Sequence, residues 1–162
     1  MFDRIELLHI IEKNARLSVS DIAIRMGETE DTVAAELQKL QNEGVILGFS
    51  SVVDWDKTER ESVTAMIEIR ITPQRNKGFN QIASQLYQYP QVTSCFLMSG
   101  GFDIMLMIED STLREVASFV SEKVAPIDGV VSTSTHFILK RYKSNGIIFD
   151  SVVEDDRETI VL

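Results

Sequence analysis

Ser99-Gly100-Gly101-Phe102-Asp103 is the stretch whose chemistry is easiest to write down. Two adjacent glycines let a backbone come close to a small molecule and leave amides for a carboxylate. Asp103 can pair with an ammonium. Thr133 and Thr135 stand two apart in a strand-like run, so they share a face and can add hydroxyls. A plainer reading stands beside this one: the glycines serve a tight hairpin, and Asp103 accepts from loop amides.

Other chemistry is poorly supplied. His9 and His136 are the only histidines, and both fall in apolar-periodic segments. Cys95 is the only cysteine. It has no partner for an internal disulfide, and its apolar strand-like surroundings describe a buried, inert thiol. No metal-ligand spacing, Cys-His pair or Gly-rich phosphate loop occurs. The expectation is no catalytic residue, no metal and no cofactor. A ferredoxin-like enzyme, the rival class, would need a polar cluster that these residues do not assemble.

A second functional pattern lies in residues 17–48, LSVSDIAIRMGETEDTVAAELQKLQNEGVILG. Ser18 or Ser20 can cap a helix whose apolar side is Ile22, Ala23 and Met26. Gly27 ends it, and Thr29 opens a second helix with Val33, Leu37 and Leu40 at helical spacing. Gly44 stops that helix, and Val45-Ile46-Leu47 starts a strand. Two short helices about a glycine turn form the helix-turn-helix pattern, whose second helix enters the DNA major groove. The candidate DNA contacts on that helix are Thr29, Thr32, Ala35, Glu36 and Lys39. Thr32 can donate to a phosphate or meet a thymine methyl, and Glu36 can accept from cytosine N4. Arg16, Ser18, Ser20 and Arg25 can position the backbone. A solvated helix face is the competing reading for each.

The elements that would position these groups follow from periodicity. FDRIELLHIIEKN spreads Ile5, Leu7, Leu8, Ile10 and Ile11 over a helical face, with Asp3 and Glu6 as a capping box. VILGFSSVVDWD reads as a strand kinked at Gly48, with Phe49 and Trp55 as packing anchors. DKTERE, residues 56–61, reads as a linker. Beyond it, Val63, Ala65, Ile67, Ile69 and Ile71 alternate with Thr64, Met66, Glu68 and Arg70, a strand with one buried face. Pro73 suits the start of the next helix, which carries Phe79, Ile82, Ala83, Leu86 and Tyr87 and ends at Tyr89-Pro90. Two strands follow, joined at Ser99-Gly100-Gly101. Leu113, Val116, Ala117, Val120 and Val124 make another helix, closed by Pro126 and Asp128-Gly129. VVSTSTHFILKRYK reads as one long strand. The order is β-α-β-β-α-β, a ferredoxin-like antiparallel sheet with both helices on one side. The opposite face, partly apolar, predicts a dimer through the sheets.

The fold class is therefore α+β: a winged-helix-like helix-turn-helix domain (1–58), a ferredoxin-like domain (59–145) and an acidic tail (146–162). The 162 residues allow two small domains, and 44% hydrophobic with 25% charged residues is ordinary for a globular chain. No run of about 18 apolar residues predicts a membrane span. MFDRIELLHI is not a secretory signal, so the cytoplasm is the expected location. The net charge is −9. Residues 1–58 hold eleven acids against six bases, residues 59–149 balance at nine each, and the stretch from Asp150 onward holds five acids against Arg157. The helix-turn-helix third is thus acidic, whereas affinity for DNA comes largely from Lys and Arg on phosphates.

In order and spacing these segments resemble the Lrp/AsnC family of leucine- and asparagine-responsive transcription regulators. ARLSVSDIAIRMGETEDTVAAELQKLQNEGVILGFSSVVD is similar to the family's run from the second helix into the linker strand. SGGFDIMLMIED is similar to its Gly-x-Asp hairpin, and FILKRYK to its closing strand. The resemblance implies a DNA-binding regulator of amino-acid or related metabolism genes, modulated by a small effector. It implies homodimers through both domains, often built into octamers, with amino acids or related metabolites bound at dimer–dimer contacts. Family members usually carry Ser near the start of the recognition helix and Arg in its middle. Here Lys39 is the only base in that helix, and Ala34-Ala35-Glu36 stand where cations are expected. An alternative is an effector-sensing partner subunit that contributes little DNA contact itself.

Overall fold

The structure is a computed structural model and describes residues 2–72 and 78–149. The expected role of Pro73 and the acidic stretch from Asp150 onward lie outside the described residues. The chain divides into two compact units between Val52 and Val53, upstream of the polar run read as the linker.

The first unit holds three helices, α1 (Arg4–Lys13), α2 (Val19–Met26) and α3 (Glu30–Asn42). Each starts on a side-chain cap. Asp3 accepts from the amides of Ile5 and Glu6, Ser18 from Asp21, and Thr29 from Thr32. These bonds satisfy amides that a helix start leaves without intrahelical partners. Gly27 ends α2 at φ 67°, a left-handed conformation that costs other residues about 1–2 kcal/mol. Its neighbour Glu28 then donates to the Ala23 carbonyl at 3.0 Å, and the chain turns at once toward α3. Leu7, Ile11, Ile22, Ala23, Val33 and Leu40 form the core. Each fully buried aliphatic side chain there contributes roughly 1.5–3 kcal/mol.

The strand expected from Val45 does not form. Residues 45–53 carry no strand pairing, and Leu47 is 93% and Phe49 55% exposed. The residue types suit a strand, yet no other described segment offers the partner that a ladder needs. Phe49 is therefore no anchor within the chain. Trp55 opens a short 3-10 turn (Trp55–Lys57) and lies under the Arg60 guanidinium, 4.6 Å from the ring centre.

The second unit is built on β1 (Val63–Ile71), α4 (Phe79–Leu86), β2 (Val92–Leu97), β3 (Ile104–Asp110), α5 (Leu113–Phe119, continuing as a π turn through Val124) and β4 (Val130–Phe137). Its antiparallel sheet has the order β2-β3-β1-β4, which is the ferredoxin-like arrangement. Ala65, Ile67 and Ile69 pair opposite Ile108, Leu106 and Ile104, and this side meets Ile82, Leu86, Val116 and Phe119 of the helices. The other side brings Met66 opposite Met107 and Glu68 opposite Met105, with Phe96 beside Met105 on β2.

The closing strand is shorter than its pattern. Pairing ends at Phe137, apart from the Ile138 amide on the Thr64 carbonyl at 2.9 Å, and residues 138–142 carry no strand. A small hairpin follows, β5 (Lys143–Ser144) with β6 (Ile147–Ile148). Asn145 at φ 48° and Gly146 at φ 79° form its tip, an Asn-Gly turn that matches the strand twist. The expected tail boundary at 146 therefore falls inside this hairpin.

Candidate functional site

The helix-turn-helix residues divide by what their side chains touch. Thr32, Ala35 and Lys39 are exposed and share one face of α3. The Thr32 hydroxyl lies 2.8 Å from that of Thr29, so both help hold the helix start. Ser18 is likewise engaged: its hydroxyl donates to Asp21 Oδ2 at 2.6 Å, and its Oγ accepts the Asp21 amide at 3.1 Å. The bonds from Ser18 hold the Asp21 carboxyl below the usual carboxylate range. Arg16 and Arg25 are exposed, and Ser20 is half-buried.

Glu36 is taken off the exposed face, which corrects its reading as a base contact. It pairs with Arg4 Nε on α1 and keeps only 18% side-chain exposure. Arg4 Nη1 also donates to Glu43 Oε2 at 3.1 Å. The bond to Glu43 raises the Arg4 pKa against desolvation, and Glu36 adds to the rise. Sequence spacing carries a hint of this, since Glu36 stands three after Val33 and four before Leu40, on the flank of the buried stripe. What remains around the start of α3 is acidic, with Glu28, Glu30 and Asp31 all exposed.

In the second unit the β2–β3 hairpin holds the other candidates. Ser99, Gly100 and Gly101 are exposed, whereas Phe102 and Asp103 are half-buried. The pairing of β1 with β4 shifts register between Arg70 and Ile71. Asp103 Oδ2 accepts the Ile71 amide at 2.7 Å, and the Asp103 amide donates to the Ile69 carbonyl at 2.9 Å. Asp103 thus closes the irregular end of β1, the structural role read beside the ligand one. Thr133 and Thr135 pair opposite Ile69 and Ile67, which sets them half-buried on the helix-covered face. They lie across β1 from the hairpin, about two strand spacings or roughly 10 Å away. The hairpin and Thr133 therefore share one end of the sheet.

A family model described as the Lrp/AsnC ligand binding domain matches residues 64–148. This chain belongs to the Lrp/AsnC family. The HTH-type transcriptional regulator YugG of Bacillus subtilis (strain 168) is 40% identical over 157 residues, spanning 96% of this chain and 94% of that one. A proline dehydrogenase transcriptional activator of Rhizobium radiobacter is 26% identical over 143 residues, 88% and 91% of the two chains. Among solved structures, the Neisseria meningitidis regulator NMB0573 in complex with L-methionine aligns at TM-score 0.72 and 20% identity, covering 89% and 94%. AsnC of E. coli aligns at TM-score 0.69 and 18% identity, covering 89% and 96%. These two likenesses are of fold.

As an Lrp/AsnC protein the chain is a transcriptional regulator and not an enzyme. Among the described residues no three or more His, Cys, Asp or Glu stand together as a metal site. No helix among them is long and apolar enough to cross a membrane. Burial raises the Cys95 pKa, consistent with a thiol packed against the sheet core.

Proposed function

We propose that this Lrp/AsnC regulator binds DNA near amino-acid or related metabolism genes through α3, under control of a small amino-acid-like effector. The observation that carries the DNA half is the α2–Gly27–α3 unit, capped at both helix starts and presenting Thr32, Ala35 and Lys39 together. Arg16 and Arg25 supply phosphate contacts, and Ser20 is a third candidate. The effector half rests on the Ser99–Asp103 hairpin with Thr133 at the same end of the sheet and Thr135 two residues further along β4, and on the family match over residues 64–148. The bound L-methionine of the N. meningitidis protein supports an amino acid as the ligand class. A regulator of this kind works where the DNA is, in the cytoplasm.

The working unit in this reading is a homodimer through the open sheet face, assembled further toward an octamer. Met66, Met105, Met107 and Phe96 give that face an apolar centre, and an apolar patch of this sort is usually covered. The exposed apolar segment 45–53 supports a second contact between copies. Fluorescence anisotropy on the upstream DNA of its own gene, with and without a panel of amino acids, tests the proposal. Binding at low salt that one amino acid alters is the expected result. No binding at low salt would remove the DNA half.

The exposed Glu28, Glu30 and Asp31 favour a second reading, a sensing subunit that assembles with a DNA-binding relative. Recovery of such a relative with this chain from its source cell would separate the two.

A further inference from the structure

The open face of the sheet is not wholly apolar. Strand register sets Met107, Met66 and His136 in one row across three strands, and Met105, Glu68 and Ser134 in the next. Glu68 is thus a carboxylate among methionines, and its side chain keeps 31% exposure. His136 Nε2 lies 3.4 Å from Glu68 Oε1 and 3.3 Å from Ser134 Oγ. Both contacts fall on one ring nitrogen, so the trio is no Ser-His-acid relay, which uses both nitrogens. What it provides is a pair whose net charge depends on pH. Histidine is the side chain that ordinarily changes charge near neutrality. A protonated His136 neutralises Glu68, and a neutral one leaves the pair negative.

The other charged groups toward this face include no second imidazole. On β1, Arg70 stands opposite Ser132. On β3, Glu109 is held by Arg60 at 2.8 Å. Beyond β4, Lys140, Arg141 and Lys143 line the groove beside Thr64 and Met107 at one end of the face. Strand β2 adds no charged residue, and the helices lie on the far side of the sheet. The face therefore carries acid and base around a methionine centre. Such a face is self-complementary, because a two-fold axis through the centre sets the patch against its own copy. A second copy is the occupant that suits it.

We propose that Glu68 and His136 make the sheet-to-sheet contact between two copies proton-dependent, tighter in mild acid than in mild base. It rests on the homodimer reading above. Covering the face strips water from Glu68. A buried carboxylate is costly alone and far less so beside an imidazolium that donates to it. The covered pair therefore holds its proton more firmly than the open pair does. The form that binds more protons is favoured as pH falls, so the dimer gains in acid and loses that gain as pH rises through the histidine range.

The test follows dissociation of the full chain at fixed salt, by sedimentation or by subunit exchange between labelled copies. Where dilution alone does not separate the copies, the same urea concentration is added at each pH. The natural chain is expected to lose roughly tenfold in dimer affinity from about pH 6 to about pH 8, about threefold from each of two symmetric pairs. Glu68→Gln removes the charge that covering penalises, so its dimer should be tighter than the natural one in mild base and flat with pH. His136→Gln should match the natural chain in mild base and miss the gain in acid. His9→Gln, on α1, should keep the natural profile. A flat profile in the natural chain, or a slope that survives either sheet substitution, overturns the inference while the dimer reading stands. A change of equal size at every pH in both variants marks a purely structural role and overturns it too. A natural chain that is monomeric throughout overturns both.

Discussion

Leu40→Ala should unfold the first unit without unfolding the second. Leu40 is 1% exposed in the last turn of α3, in a core shared with Leu7, Ile22 and Val33. Truncating a buried leucine costs about 2–5 kcal/mol, and this site has few neighbours able to collapse into the space. The unit spans Met1–Val52. At roughly 0.05–0.15 kcal/mol per residue its stability is about 3–8 kcal/mol, and small units sit at the lower end. A loss of about 3 kcal/mol therefore removes much of it, lowering the midpoint by roughly 12–24 °C at about 4–8 °C per kcal/mol. Two probes separate the units. Helical ellipticity is dominated by α1–α3, whereas Trp55, the only tryptophan, lies past the division and reports on the second unit. The expected melt shows early loss of ellipticity with the Trp55 transition in place. Coincident transitions shifted together would refute the reasoning, because they would mean that the two units unfold as one.

Three further outcomes follow from the same geometry. Gly27→Ala should cost about 1–2 kcal/mol through its φ of 67°, and Gly27→Asn less, read from urea midpoints of the first unit. Ser18→Ala should return the Asp21 pKa toward the ordinary carboxylate range. A depressed folded pKa adds stability above the unfolded value and loses it as pH falls through the folded one, so the variant's unit should depend less on pH on the acid side, seen in a carboxyl-carbon NMR titration. Cys95, with its pKa raised by burial, should react with a thiol reagent at pH 8 far more slowly than a free thiol, and reach the free rate only in denaturant.

Local rules made most of the fold legible. Strict alternation in Val63–Ile71 gave β1 and its buried face, because a half-covered sheet forces period two. Ser18, Gly27 and Thr29 marked the helix-turn-helix because capping is decided within a few residues. The readings that departed from the structure were those that depended on a partner. Val45–Val53 has strand-forming residues but no strand beside it. Ile138 to Tyr142 continues the β4 pattern, yet pairing with β1 stops after Phe137. Glu36 reads as exposed on any wheel that leaves out α1, from which Arg4 reaches it. Thr133 and Thr135 had a shared face visible in their spacing, while which face it was came only from their register with Ile69 and Ile67.

The Arg4 clamp also bears on how this protein can change over generations. On the proposed DNA reading, Glu36 within α3 and Glu43 at its C-terminal cap look like liabilities, and replacing them with arginine is the obvious way to strengthen binding. Both are committed to α1 through Arg4, so that route trades grip on the operator against the integrity of the helical unit. Thr32, Ala35 and Lys39 carry no such tie to α1 and are open to drift. If α3 reads the operator as proposed, changes of operator preference should therefore be tolerated on that narrow strip of α3 and resisted along the edge held by Arg4.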